Sequence, residues 1–177
     1  MGRRHQPQHE RQWCSNALSA SGFGSPRPTN PDIAGLNTLD AFNGLSIEIV
    51  TIEAKTSLDN WEQWIFEAVS HRRFANRAYF AFAHEEETIS KIPQDMRYYA
   101  ELFGIGILVI SMANDTYELL HSGRLDRPLD AEKDAVEVIE VFSAPYSFVQ
   151  PKYQLKFCNA LNIGCLKDLH RWGNGQK

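Results

Sequence analysis

The amino-acid sequence predicts an α/β domain in which helices flank a mixed central β-sheet. Three observations carry this. Residues 45–55 are apolar and β-branched, as a strand requires. Residues 105–111 read Ile-Gly-Ile-Leu-Val-Ile-Ser, a continuous apolar run of the kind buried in the middle of a sheet. Between them, helical patterns alternate with a further apolar strand, and strand–helix–strand order implies partly parallel pairing with right-handed crossovers.

Each element follows from local pattern. Residues 1–9 are polar, and residues 1–29 are expected to form a flexible or partly helical N-terminal segment, with a helix over 10–21 ending near Gly22. Pro26 and Pro28 mark a loop. A short strand is expected over 32–36, a turn-rich connection over 37–44, and the strongest early strand over 45–55. Asp59 is placed to cap the next helix, with Glu62 at the capping-box position. Trp61, Trp64, Ile65, Ala68 and Val69 follow helical spacing, and the helix is expected to reach Phe74 and stop by Asn76. Residues 78–83, Ala-Tyr-Phe-Ala-Phe-Ala, read as a buried strand and 84–88 as a charged loop. A helix over 93–103 closes at Gly104. Beyond the 105–111 strand, the pattern predicts an edge strand over 116–120, a helix over 130–142 and one or two helices over 146–161. The expected division is thus a core over 30–125 and a helical C-terminal extension over 126–177. Only two strands are evident before the Trp61 helix.

Composition bounds the function. The chain has 177 residues, one domain of ordinary size, and its 43% apolar content and four tryptophans suffice for a packed core. A net charge of −4 argues against coating nucleic acid nonspecifically and leaves room for a local basic groove around an acidic site. Cys14, Cys158 and Cys165 are odd in number and lack zinc-type spacing. They read as reduced thiols of a cytoplasmic protein, with Cys158 and Cys165 buried. The basic start Met1-Gly2-Arg3-Arg4 is followed by no apolar region of a signal peptide, and no apolar run is long enough to span a membrane. His5 and His9 lie in the polar N-terminal stretch. There is no Gly-rich phosphate loop, nucleophile elbow or paired-His motif, which disfavours NTPases, serine hydrolases and zinc peptidases.

The chemistry-bearing feature is Ile47 to Lys55, Ile-Glu-Ile-Val-Thr-Ile-Glu-Ala-Lys, downstream of Pro31-Asp32. In a strand, Glu53 and Lys55 project from one face while Ala54 points the other way, into the expected core. Glu48 falls on the face opposite Glu53 and reads as a surface charge. A glutamate and a lysine at the end of a buried strand are costly to desolvate without partners or a task. Asp32 at the start of a preceding strand would add a second carboxylate. Two carboxylates and a lysine around one point make a hard-cation site beside a proton carrier, the chemistry of phosphodiester hydrolysis. The bland alternative is that Asp32 caps a turn and Glu53–Lys55 is a structural ion pair.

Pro-Asp, about twenty residues, then Glu-x-Lys resembles the PD-(D/E)xK nuclease superfamily. Glu48 to Lys55, Phe66-Glu67-Ala68-Val69-Ser70, Phe74-Ala75-Asn76 and Phe103 to Ile107 look like the HrgA-type restriction-associated proteins. The resemblance covers roughly residues 30–110. It implies a restriction-endonuclease-like fold with a helix–three-strand–helix–strand core, so that one of the three early strands is missing or hidden between residues 25 and 43. It also implies a link to DNA restriction or defence and hydrolysis of DNA phosphodiesters. Asp32 and Glu53 would hold Mg²⁺, with Mn²⁺ as a substitute, and Lys55 would stand beside the attacking water. Glu67 stands where the family usually has glutamine, and would be a third carboxylate of the site or a sign of drift. Gln63 shares its helical face, where solvent exposure is the competing reading. Glu10 sits where some members carry an extra acidic residue. The space before Pro31 is too short for the winged-helix segment that often precedes such domains.

His71, Arg72, Arg73 and Arg77 form the basic cluster nearest the motif and would contact DNA phosphates. Complementing the helix dipole is the equally available reading. Trp61 and Trp64 read as core. Duplex-cutting members of this fold often pair, so a homodimer is one expected assembly and a restriction–modification partner another. The alternative function is a catalytically inactive module that kept the fold and binds DNA or such a partner.

Overall fold

The computed structural model describes residues 12–17, 30–41, 44–85 and 92–174. They form a six-stranded mixed sheet in sequential order, β1 (Gln12–Ala17), β2 (Ile33–Ala41), β3 (Gly44–Lys55), β4 (Arg77–Glu85), β5 (Gly106–Met112) and β6 (Glu137–Phe142). The first three strands are antiparallel, β3–β4 and β4–β5 are parallel, and β6 returns antiparallel to β5. The two parallel steps are bridged by α1 (Trp61–His71) and α2 (Gln94–Phe103). Three further helices follow, α3 (Asn114–His121), α4 (Pro151–Ala160) and α5 (Leu166–Gly173).

The strand period sorts side chains onto two unequal faces. Ala34, Leu36 and Ile49 share one face with Phe80, Phe82, Ile107 and Val109, as the pairings Leu36↔Ile49, Lys55↔Phe82 and Phe80↔Ile107 require. Over its first half lie Phe157, Cys158, Leu161, Leu169 and Trp172 of the C-terminal helical region. Over its second half lie Trp61, Ile65 and Ala68 of α1 with Met96 and Ala100 of α2. On the other face, Val50, Ile52, Ala54, Leu108 and Ile110 are only half-buried. The core therefore lies on the Glu53 side, and Ala54 points away from it, the reverse of the sequence expectation.

Two glycines have positions that demand them. Gly104 ends α2 with a left-handed φ of 64°, which costs least without a Cβ. Gly106 brings the backbone against Tyr79, where a Cβ would lie 2.3 Å from the ring.

The structure corrects several expectations. Residues 12–17 pair with β2 as a strand, so the third strand lies where a helix was expected and not within 25–43. The turn-rich connection is mostly β2, and His84 and Glu85 complete β4. Residues 114–121 are helical, not an edge strand. Residues 137–142 are a strand, not a helix, because Glu137, Val138, Ile139 and Glu140 find backbone partners on β5. The sheet thus continues past residue 125. α1 ends at His71, short of Phe74, whose N–H still reaches His71 O at 3.0 Å. Asp59 does not cap it. The helix enters from Asn60 in a left-handed conformation without a side-chain cap, while Asp59 accepts the Ser57 hydroxyl. Cys158 is buried as expected, whereas Cys165 is exposed and caps α5. Glu10, His5, His9 and the side chain of Cys14 lie outside the described residues.

Candidate active site

Strand pairing assembles the candidate site. Ile33 pairs with Ile52, so Asp32, one residue before β2, falls beside Glu53 on the same face. Its carboxylate Oδ2 accepts the Ala54 N–H at 2.9 Å. Asp32 is thereby tied to β3 between Glu53 and Lys55.

Glu53 and Lys55 share the face, as their spacing predicts, and Lys55 Nζ donates to Glu53 Oε1 at 2.5 Å. Lys55 Nζ also donates to Glu67 Oε2 at 2.9 Å, from the second turn of α1. The ammonium stands 5.7 Å from the centre of the Trp64 ring, close enough for cation–π attraction. Trp61 is buried core, Trp64 is half-buried beside the site, and Gln63 is exposed.

Burial dominates the electrostatics. The Glu53 side chain is 4% exposed. Desolvation pushes its pKa up to about 8, and a hydrogen bond to Glu67 adds to the rise. The nearby Asp32 charge acts in the same direction, while Lys55 opposes it without prevailing. The Glu67 carboxyl is lowered despite some burial, because Glu53 and Lys55 hydrogen-bond to its charged form. Of this pair, Glu53 keeps the proton and Glu67 the charge. Lys55 is raised, its two carboxylate partners outweighing its own desolvation.

His71 is the residue that sequence reading placed wrongly. Its side chain is fully buried, with Nε2 3.7 Å from Glu53 Oε2. Burial first, then Arg73, lower its pKa to about 4. A signal was present. Trp61, Ile65, Ala68 and His71 fall on one helical stripe, the buried one.

The other members of the basic cluster do not gather into one surface with it. Arg72 donates to the Phe103 carbonyl at 2.5 Å. Arg73 is exposed and lies over the Phe74 ring. Arg77 pairs with Val50, which puts it on the face opposite Glu53, where it donates to Glu48 at 3.0 Å and to the Ala144 carbonyl. Glu48 is accordingly a buried ion-pair partner, not a surface charge.

Among the described residues, no group of three or more His, Cys, Asp and Glu stands together as a metal-holding set. Mg²⁺ asks less of a protein, since one or two carboxylates with waters and a substrate phosphate suffice. Asp32 and Glu53 meet that requirement in kind, and Glu53 Oε2 is buried without a hydrogen-bond partner. Among the described residues, no helix is long and apolar enough to cross a membrane. Comparison with protein-family models and with curated proteins finds no match for this chain.

Proposed function

We propose that this chain is a Mg²⁺-dependent DNA endonuclease of the restriction-endonuclease-like fold, acting in the cytoplasm in restriction or defence. The single observation that carries the reading is the meeting of Asp32, Glu53 and Lys55 at one end of β3, with Asp32 fixed by the Ala54 N–H. The strand order supports it as well, because three antiparallel strands, a helix and a parallel strand follow the order expected of that fold.

In this reading Asp32 and Glu53 hold the cation, with Mn²⁺ as a substitute. The bound cation supplies Lewis acidity toward a phosphate oxygen and a more acidic water. Lys55 holds a positive charge at the place where the phosphate gains negative charge. Glu67 keeps the Lys55 ammonium in position from the helix side. Glu53 must release its proton to ligate, so cation binding and deprotonation are linked.

A second reading is a catalytically inactive module of the same fold that binds DNA or a restriction–modification partner. It is favoured by the Lys55 ammonium being shared between the carboxyl groups of Glu53 and Glu67. Calorimetric titration with Mg²⁺ and Mn²⁺, wild type against Glu53→Ala, separates the two. Binding that vanishes in the variant supports the nuclease. Equal heats in both proteins would count against a cation site at Glu53.

A further inference from the structure

A second feature stands next to this centre. A cleft of about 570 Å³ opens at the carboxyl ends of β3 and β4. That lies within the roughly 300–1,000 Å³ of ligand-binding clefts. It is lined by Asp59 from the β3–α1 turn, by His84 from β4, and by Tyr117, Glu118, His121 and Arg124 from α3 and its exit. His84 follows Phe80 and Phe82 on the Glu53 face of the sheet, and Phe82 is the strand partner of Lys55. The cleft therefore begins about two residues, or roughly 7 Å, beyond Lys55 along the sheet.

Its lining has an ordered chemistry. The rings of His84 and Tyr117 are nearly parallel, 25° apart with centroids at 6.3 Å. Those of Tyr117 and His121 continue the column at 16° and 5.7 Å. Such a column offers an aromatic face to another flat ring. Asp59 and Glu118 are acceptors suited to exocyclic amino groups, and they repel a phosphate from the interior. Arg124, whose Nε donates to Ser122 Oγ at 2.9 Å, supplies the cation. Flat ring, amino group and one flanking anion together describe a nucleotide better than a simple anion or an apolar ligand.

We propose that this cleft takes one nucleobase of an unpaired DNA strand, stacked on the His84–Tyr117–His121 column, with its phosphate toward Arg124. The inference rests on the phosphodiesterase reading of Asp32, Glu53 and Lys55, and it names how the substrate is held beside them. Base–aromatic stacking tolerates any base, so the cleft selects unpaired strand over duplex and not one sequence over another.

Fluorescence anisotropy of the full chain with a labelled short single-stranded oligodeoxynucleotide, and with the same sequence as a blunt duplex, tests this in EDTA. The wild type binds the single strand more tightly than the duplex. Tyr117→Ala weakens single-strand binding about tenfold, and Tyr117→Phe, which keeps the ring, does not. His121→Ala, at an exposed position, provides the same reading if Tyr117→Ala fails to fold. Unchanged affinity in a folded Tyr117→Ala or His121→Ala variant, or no single-strand preference in the wild type, overturns the inference. Parallel cleavage assays on plasmid and on the labelled single strand, with Mg²⁺ in place of EDTA, keep the two readings apart. Glu53-dependent cleavage with unchanged Tyr117→Ala binding removes the cleft alone. Aromatic-dependent binding without cleavage by the wild type upholds the cleft and removes the phosphodiesterase.

Discussion

Glu53 Oε2 and His71 Nε2 face each other at 3.7 Å, beneath α1, and neither atom has a hydrogen-bond partner. The contact is not an ion pair at neutral pH. Burial raises the carboxyl to about 8 and lowers the imidazole to about 4, so both groups are uncharged there. The protein keeps a carboxylic acid and a neutral histidine together at the end of β3, and burial rather than charge pairing sets both.

Stability should depend on pH from both sides of this pair. The Glu53 pKa is raised from 4.5 to about 8 on folding, so its contribution is fully present below about 4.5 and is lost as pH rises through about 8. The His71 pKa is lowered from 6.5 to about 4, so its contribution is present above about 6.5 and is lost as pH falls through about 4. The two slopes oppose one another between about 4.5 and 6.5, and of the two Glu53 alone acts between about 6.5 and 8. Thermal unfolding across pH should show Tm falling above about 6.5, and Glu53→Gln should flatten that fall. A wild-type slope between about 6.5 and 8 that survives in Glu53→Gln would refute the assignment.

Asp32 offers a cleaner substitution. Asp32→Asn keeps a side-chain oxygen for the Ala54 N–H and removes the charge that helps raise Glu53. The Glu53 carboxyl should then titrate lower, measurable by carbon NMR, with Tm nearly unchanged. Asp32→Ala leaves that N–H without its partner and should cost about 1–3 kcal/mol. An unmoved Glu53 titration in Asp32→Asn would mean that the two carboxyls do not sense each other.

Asn76 ties β3 to α4 and the segment leading into it. Its Oδ1 accepts the Ile49 N–H at 2.9 Å and the Gln154 amide at 2.8 Å, while Nδ2 donates to the Ser147 carbonyl and the Tyr146 hydroxyl. Asn76→Ala strips partners from a buried β3 N–H and from the segment leading into α4. A loss of at least about 1–3 kcal/mol is expected in urea unfolding. A loss below about half a kilocalorie per mole would show that water replaces the side chain readily.

The elements that were legible are those whose own pattern agrees with their packing. Ile47, Ile49 and Thr51 alternate with Glu48, Val50 and Ile52 along β3, and Trp61, Ile65 and Ala68 repeat at helical spacing along α1. The placement of Glu53 and Lys55 on one face came with them, because the strand period alone requires it, whereas Asp32 reaches Glu53 only through the β2–β3 register. Where local pattern was weak, pairing decided. Residues 130–142 carry helix-compatible charges, yet Val138, Ile139 and Val141 add a β-branched edge to β5. Residues 116–120 look strand-like, but Asp115 in the first turn and the reversal after Met112 favour α3. Which sheet face is covered was not readable, since apolar residues occupy both faces of β3. That is why Ala54, Glu48 and Arg77 changed sides or roles. His71 was hidden for a different reason. Its neighbours Arg72 and Arg73 made it read as part of a basic surface, although its spacing from Ala68 placed it inside.

The most direct test of the central claim is cleavage of supercoiled plasmid and of a labelled single-stranded oligodeoxynucleotide in Mg²⁺ or Mn²⁺ by wild type, Glu53→Ala and Lys55→Ala, with circular dichroism confirming that all three fold. The account predicts cutting of at least one of these substrates by the wild type, loss of at least about a hundredfold in both variants, and no cleavage in EDTA, consistent with losing several kcal/mol of transition-state stabilisation. Equal cleavage by folded Glu53→Ala and Lys55→Ala, or none by the wild type with either cation, would contradict it.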